Sequence, residues 1–162
     1  MIVIIDDVLP EDKRIGVKDY FSSSPKVRTN HWHSGTFNNF LTDNSPLSDL
    51  VKYAARFIDI RNMVGCEYWG HYQSKPNWHI DIDEKLQIKT GEISLPLCVI
   101  VYYPIIENLV SGNFVTETEI IVPKTNRMLI MSPSIRHMVE DYSGVRMSVA
   151  VNIWDYVLEE FK

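Results

Sequence analysis

The sequence predicts a mainly β fold, an antiparallel double sheet of the jelly-roll type, and three observations predict it. From Met63 to Trp154 the apolar residues recur at every second position, in about eight short segments rich in Val, Ile and Tyr. That period belongs to half-buried strands. No segment between them carries the length and stripe of a crossover helix, so neighbouring strands are expected to run antiparallel, and eight is the jelly-roll number. Two helical patterns lie ahead of this region, where they can support a sheet from outside.

At 162 residues the chain is expected to form one domain, 1–162, long enough for a substantial core. A supporting strand and helices are expected over about 1–60 and the β core over about 63–155. Hydrophobic residues make up 45% and charged residues 23%, ordinary values for a globular chain. With 16 basic against 21 acidic residues the net charge is −5. This argues against general nucleic-acid binding, which needs a basic face. Cys66 and Cys98 sit on predicted core strands and read as buried, reduced thiols, which suits a reducing cytosol. The apolar run Ile2 to Ile5 ends at Asp6-Asp7, too short for a signal peptide or a membrane span. The expectation is a cytoplasmic protein that does not enter a membrane.

Taken in order, Ile2 to Asp6 is a first, β-branched strand. Leu9-Pro10-Glu11 opens a helix to about Phe21, with Pro at its start and acids in its first turn. The run Ser22-Ser23-Ser24-Pro25 breaks it. His31 and His33 share a strand face and form a rival metal pair, without a carboxylate close by in sequence. Ser45-Pro46 starts a second helix, with Ser as N-cap and Pro at the first helical position. Leu47, Leu50, Val51, Ala54, Phe57 and Ile58 give it one apolar stripe, expected to buttress the sheet.

Strands are then expected near 63–72, 78–82, 97–103, 113–116, 118–122, 127–131, 137–141 and 145–154. Gly91, Pro104, Ser111-Gly112, Pro123 and Ser143-Gly144 punctuate them. There is no internal repeat and no low-complexity segment.

The chemistry lies in the second half. On a strand over 78–82, His79 and Asp81 point to one side and Ile80 to the other, with Cα atoms about 7 Å apart, within reach of one metal ion. His137 opens a later strand, and Arg146 follows nine residues on. A hairpin turn over Tyr142 to Gly144 would pair the two strands and place His137 and Arg146 on one sheet face. Taken singly, His79, Asp81 and His137 are each well explained as satisfied polar residues on strands. Together, two His and one carboxylate form the facial set that leaves positions open on a non-haem Fe(II). Zinc accepts the same ligands. Arg146 shares its strand face with Ser148, Ala150 and Asn152, while the alternate residues are apolar. Such a face reads as the wall of a polar pocket.

His79-Ile80-Asp81, the distant His137, and Arg146-Met147-Ser148 together resemble the Fe(II)/2-oxoglutarate-dependent dioxygenase family, in particular its small prolyl-4-hydroxylase-like branch. The resemblance implies a double-stranded β-helix with N-terminal supporting helices. It implies Fe(II) on His79, Asp81 and His137. Arg146 would grip the distal carboxylate of 2-oxoglutarate with Ser148 assisting, as a planar guanidinium suits. In Val101-Tyr102-Tyr103-Pro104, Tyr103 corresponds best to a family tyrosine that binds the same carboxylate. Tyr68, Trp69 and Tyr72 occupy the strand where the family often has a pocket tyrosine, without a defined offset. Trp78 should face away from the site and pack. The polar segment 83–95 holds the place of the family's substrate-covering loop and is equally well a solvated connection.

The implied reaction consumes O₂ and 2-oxoglutarate, releases succinate and CO₂, and hydroxylates an unactivated C–H bond of a small-molecule or peptide substrate, a prolyl residue first among them. Asp81 stands where halogenating relatives have Gly or Ala, so hydroxylation is implied. Two other classes stay open. A cupin-like zinc hydrolase or isomerase would not consume 2-oxoglutarate, and a non-catalytic jelly-roll binding module would not hold iron.

Overall fold

The structure, a computed structural model, describes residues 1–22 and 30–162. The expected break after the first helix, at Ser23-Ser24-Pro25, lies outside them. Nine strands among the described residues form two antiparallel sheets. In chain order the elements are β1 (Ile2–Ile5), α1 (Glu11–Ser22), β2 (His31–Ser34), α2 (Phe37–Thr42), α3 (Pro46–Ala54) and β3 (Gly65–Tyr72). There follow α4 (Glu84–Thr90), β4 (Cys98–Ser111), β5 (Phe114–Thr116), β6 (Ile120–Ile121), β7 (Arg127–Met131), β8 (His137–Val139) and β9 (Tyr142–Trp154). The larger sheet has the order β1-β7-β4-β9-β3-β2 and the smaller one β6-β5-β8. This is the mainly β double-sheet architecture that the alternating pattern predicts.

Strand alternation divides the large sheet into two working faces. Met147, Val149, Val151 and Ile153 of β9 join Ile100 and Tyr102 of β4 beneath the helices, where Val17, Phe21, Leu47, Leu50 and Val51 complete a core. The expected buttress is therefore present. Its helix ends at Ala54, so Phe57, at the end of the predicted stripe, is exposed. Val99, Val101 and Tyr103 point the other way, and with Phe114, Ile121, Leu129 and Met131 they fill the space facing the small sheet. Cys66 and Cys98 are free and buried under the helices, and burial pushes both thiols up.

Local chemistry overrides the alternating pattern in several places. The segment expected as a strand over 78–82 is reduced to one bridge, His79 opposite His137. Two backbone bonds make it, His79 N to His137 O at 3.0 Å and the reverse at 2.9 Å. The chain then turns away, because Asp83 caps α4 by accepting from Leu86 N. Residues 83–95, expected without regular structure, thus hold a helix closed by Gly91 in the left-handed region, φ +80°. A further helix, α2, also goes beyond the expectation, with Thr36 and Asn39 forming a reciprocal cap.

Pro104 does not end its strand. β4 runs on to Ser111, and its register against β9 shifts between Tyr102 and Ile105. Tyr103 and Pro104 share that bulge, which accommodates a residue lacking N–H. The expected strand 118–122 shrinks to Ile120–Ile121, because the Thr116 hydroxyl accepts from Glu119 N at 2.9 Å and curls the chain. The expected hairpin at Tyr142 to Gly144 is absent. These residues are already strand β9, paired with the extension of β4 (Ser111 opposite Tyr142, Val110 opposite Ser143). β8 pairs instead with β5. The chain therefore crosses from the small sheet to the large one between His137 and Arg146.

Candidate metal centre and anion pocket

His79 and His137 are held by their mutual bridge, and Asp81 follows two residues along. One ligand atom from each lies within 4.8 Å of the others, the sole such group of three among the described residues. The ring of His79 hydrogen-bonds through Nδ1 to Asn77 O at 2.6 Å, and that of His137 through Nδ1 to Ile135 O at 3.0 Å. A carbonyl only accepts, so each Nδ1 carries the proton and each Nε2 keeps a lone pair. Fixing the tautomer through the second nitrogen is how metal-binding histidines are oriented. Phe114 stacks on His137 with ring centroids 4.9 Å apart and sets its plane.

Asp81 supplies the second sign of a metal site. It is 8% exposed, and its Oδ2 is buried without a hydrogen-bond partner. The nearest cationic candidate is His137 Nε2 at 3.7 Å. Burial pushes the His137 imidazole down, against the pull of Asp81, which favours its neutral, ligating form. An orphaned buried carboxylate oxygen costs more than a neutral polar group. A divalent cation between these three side chains removes that cost. The donor set of two imidazoles and one carboxylate suits Fe(II) with open positions, and it suits zinc.

The rival pair falls away. His31 stacks on Tyr68 and His33 packs edge-on against Phe40, both on the helix side of the sheet, away from Asp81. Of the aromatic candidates on β3, Trp69 faces the site. Tyr68 is on the opposite face in the helix-side core, and Tyr72 is 43% exposed. Trp78 does not pack. It is 39% exposed under the Arg136 guanidinium, 5.3 Å from the ring centroid.

Arg146 lies on the wall of the same cavity as the three ligands. It is 1% exposed. Its Nε donates to Gly112 O at 3.1 Å, Nη1 to Ser148 Oγ at 3.2 Å, and Nη2 reaches Tyr103 Oη at 3.5 Å. The guanidinium also lies 5.1 Å from the Tyr103 ring centroid. No carboxylate pairs with it among the described residues, and a buried charge without a counter-charge is expensive. The pocket is thus arranged for an anion. Because Ser148 and Tyr103 accept from the guanidinium, their own hydroxyl protons are free to turn to that anion. Burial pushes the Tyr103 phenol up, which keeps its proton in place. Tyr102, by contrast, points to the helix side and donates to Asn126 Oδ1 at 2.7 Å.

Three lining residues carried no functional expectation. His71 sits between metal group and Arg146, accepts from Trp69 Nε1, and bonds to Ser74 Oγ through Nδ1 at 2.8 Å. With both ring nitrogens occupied it is no fourth ligand. Glu67 and Asn30 line an outer chamber on the other side of His79 and Asp81. Counting from Trp69 in steps of two along β3 would have found Glu67 and His71. Asn30 comes from another strand connection and leaves no such trace.

No protein-family model matches the sequence. No curated protein matches it either. Solved structures do share its fold. An oxidoreductase of the 2OG-Fe(II) oxygenase family from Burkholderia pseudomallei superposes with a TM-score of 0.62 at 12% identity, over 96% of this chain and 86% of its own. The collagen prolyl hydroxylase of Paramecium Bursaria Chlorella virus-1 gives 0.63 at 13% identity, over 94% and 89%. A prolyl-4-hydroxylase from Pseudomonas putida gives 0.60 at 9% identity, over 96% and 88%. These are members of the family that the sequence resembles, and the double-stranded β-helix is the fold they share with this chain. No helix among the described residues is long and apolar enough to cross a membrane.

Proposed function

We propose that this chain is an Fe(II)- and 2-oxoglutarate-dependent dioxygenase that hydroxylates an unactivated C–H bond. The observation that carries this is a pairing within one cavity: a His-Asp-His group with an orphaned carboxylate oxygen, and a buried guanidinium without an anion. Zinc chemistry on a substrate without a carboxylate would not need that guanidinium. His79, Asp81 and His137 would hold the metal. Arg146 would take the distal carboxylate of 2-oxoglutarate through its fork, with the Ser148 and Tyr103 hydroxyls donating to the same group. When bound, Fe(II) with 2-oxoglutarate and O₂ supplies the oxidation, coupling decarboxylation to insertion of oxygen into C–H. The protein's own part is to orient and to keep water out: Val99, Val101 and Phe114 line the inner cavity with apolar surface.

The prolyl hydroxylases among the fold's relatives make a prolyl residue the first substrate class to try. The test is succinate release by the Fe(II)-loaded protein, first without substrate and then with proline peptides, free amino acids and nucleotides. Succinate formation that needs His79, Asp81, His137 and Arg146 is expected. Metal binding without any affinity for 2-oxoglutarate would leave a different metal enzyme.

A further inference from the structure

The outer chamber, about 200 Å³ in volume, has chemistry that the metal ligands do not use. Glu67 on β3 and Asn152 on β9 are direct cross-strand partners on its wall, 6% and 1% exposed. Neither amide atom of Asn152 makes a well-formed hydrogen bond: Oδ1 is buried without a partner, and Nδ2 is turned only toward the neighbouring Glu67 carboxylate, whose pKa it lowers. A buried polar group left unpaired is costly. On a cavity wall, a ligand's amide can restore both bonds, since it offers a carbonyl to Nδ2 and an N–H to Oδ1.

Glu67 is a buried carboxylate without a cationic partner among the described residues. Its Oε1 accepts from Asn30 Nδ2 at 2.7 Å. Burial pushes its carboxyl up to about 7, with Asp81 and Glu160 adding to the push, while the amides of Asn152 and Asn30 act against it and no Lys or Arg does so among the described residues. The chamber wall also carries Asp83, Glu84 and Glu160 against one lysine, Lys85. Asp83 is spent on capping α4 and on Tyr156. The inner pocket is therefore built for an anion, and the outer chamber for a cation.

We propose, building on the oxygenase reading above, that the outer chamber binds a substrate with a free ammonium group next to a neutral amide, the ammonium on Glu67 and the amide on Asn152. Directly opposed residues on neighbouring antiparallel strands have Cα atoms about 4.5–5.5 Å apart. Two ligand groups held by them must be close together, as are an α-ammonium and the adjoining amide. A carboxylate in the place of the amide would meet acidic walls. The class is thus the α-amino amides, which include the first residue of a peptide. A prolyl amide with a free ring nitrogen belongs to it, and an internal prolyl residue does not.

Binding can be read without turnover on the Zn(II)-loaded full chain. The probes are L-prolinamide, L-leucinamide and L-lysinamide, each paired with its N-acetyl counterpart, titrated by calorimetry or ligand-observed NMR. At least one free amine should bind roughly tenfold or more tightly than its acetylated form, since a charge-assisted bond is lost. Glu67→Gln, which keeps shape, should bring that ratio to within about twofold, and Asn152→Ala should weaken the amine by about tenfold. Both variants should keep the parent's 2-oxoglutarate affinity, which reports that fold and inner pocket are intact. Equal binding of both forms, no binding by any probe, or an undiminished preference in Glu67→Gln overturns the proposal. Failure of the oxygenase reading shows separately, as absence of 2-oxoglutarate binding in the same protein without any amide.

Discussion

His137 and Arg146 face one cavity from opposite sheets. His137 stands on β8, opposite Thr116 of the small sheet, and Arg146 on β9, opposite Ile106 of the large one. The eight residues between them carry the chain across. The His-Asp-His group on one wall and a guanidinium on the other face each other across that cavity.

Arg146 is the first point to test. Arg146→Ala should weaken 2-oxoglutarate binding to the Mn(II)-loaded protein by at least about tenfold, since a charge-assisted bidentate contact is worth roughly 1.5–3 kcal/mol. Arg146→Lys should recover part of this, because a point charge does not reproduce the fork. Ser148→Ala should cost about 0.5–1.5 kcal/mol. Calorimetric titration measures all three. Parental affinity in Arg146→Ala would remove the anion pocket from the site.

Metal binding should separate from stability at Asp81. Its Oδ2 is buried and unpartnered, so Asp81→Ala should leave the metal-free protein as stable as the parent or more so, while abolishing metal-induced stabilisation. His79→Ala and His137→Ala should also lose the metal. Melting curves with and without Mn(II) give both quantities. A metal-induced rise in Tm that survives in Asp81→Ala would exclude it as a ligand.

Product identity follows from the same carboxylate. If Asp81 ligates the proposed iron, the oxidised product should carry hydroxyl and never chlorine, whatever the chloride concentration. Mass spectrometry of reactions with and without chloride decides this, and a chlorinated product would contradict it.

The His71 imidazole gives the pH dependence a sign. Burial, and then the Arg146 charge, push it down to about 4. An unfolded histidine titrates near 6.5, so below that pH the unfolded chain binds more protons than the folded one. Its contribution is full above pH 6.5 and is lost as pH falls through about 4. Between pH 7 and pH 5 this amounts to at most about 2 kcal/mol. His137 pulls in the same direction. Urea unfolding of metal-free His71→Asn should therefore show a shallower loss between pH 7 and 5 than the parent, and parallel losses would mean that His71 is not held neutral.

Gly144 lets β9 lie against the irregular stretch of β4 between Glu107 and Val110. Its φ is +98°, and a Cβ there would lie 2.3 Å from Asn108 O. Gly144→Ala should destabilise the chain by roughly 1–3 kcal/mol or more through strain and collision. A variant with parental denaturant midpoint would mean that the backbone there adjusts freely.

The His79-Asp81-His137 group, Arg146 and the double sheet were legible in the sequence because each rests on local chemistry. Alternation alone places Arg146, Ser148, Ala150 and Asn152 on one face, whichever strand lies beside them. The same rule divides Tyr103 from Tyr102, one to each side of the sheet. Tertiary structure decided which strands are neighbours. Ser143-Gly144 has the composition of a hairpin turn, but the bulge at Tyr103-Pro104 lets β4 continue to Ser111 and capture Tyr142 and Ser143. Partner choice depends on hydrogen bonds offered by a segment thirty residues away, and no local pattern encodes it. The strand at His79 shrank to one bridge for a like reason, since Asp83 bonds to the next helix and the chain turns away. Glu67 and Asn152 meet at the outer chamber only because β3 lies beside β9, so their juxtaposition becomes visible only in the folded chain.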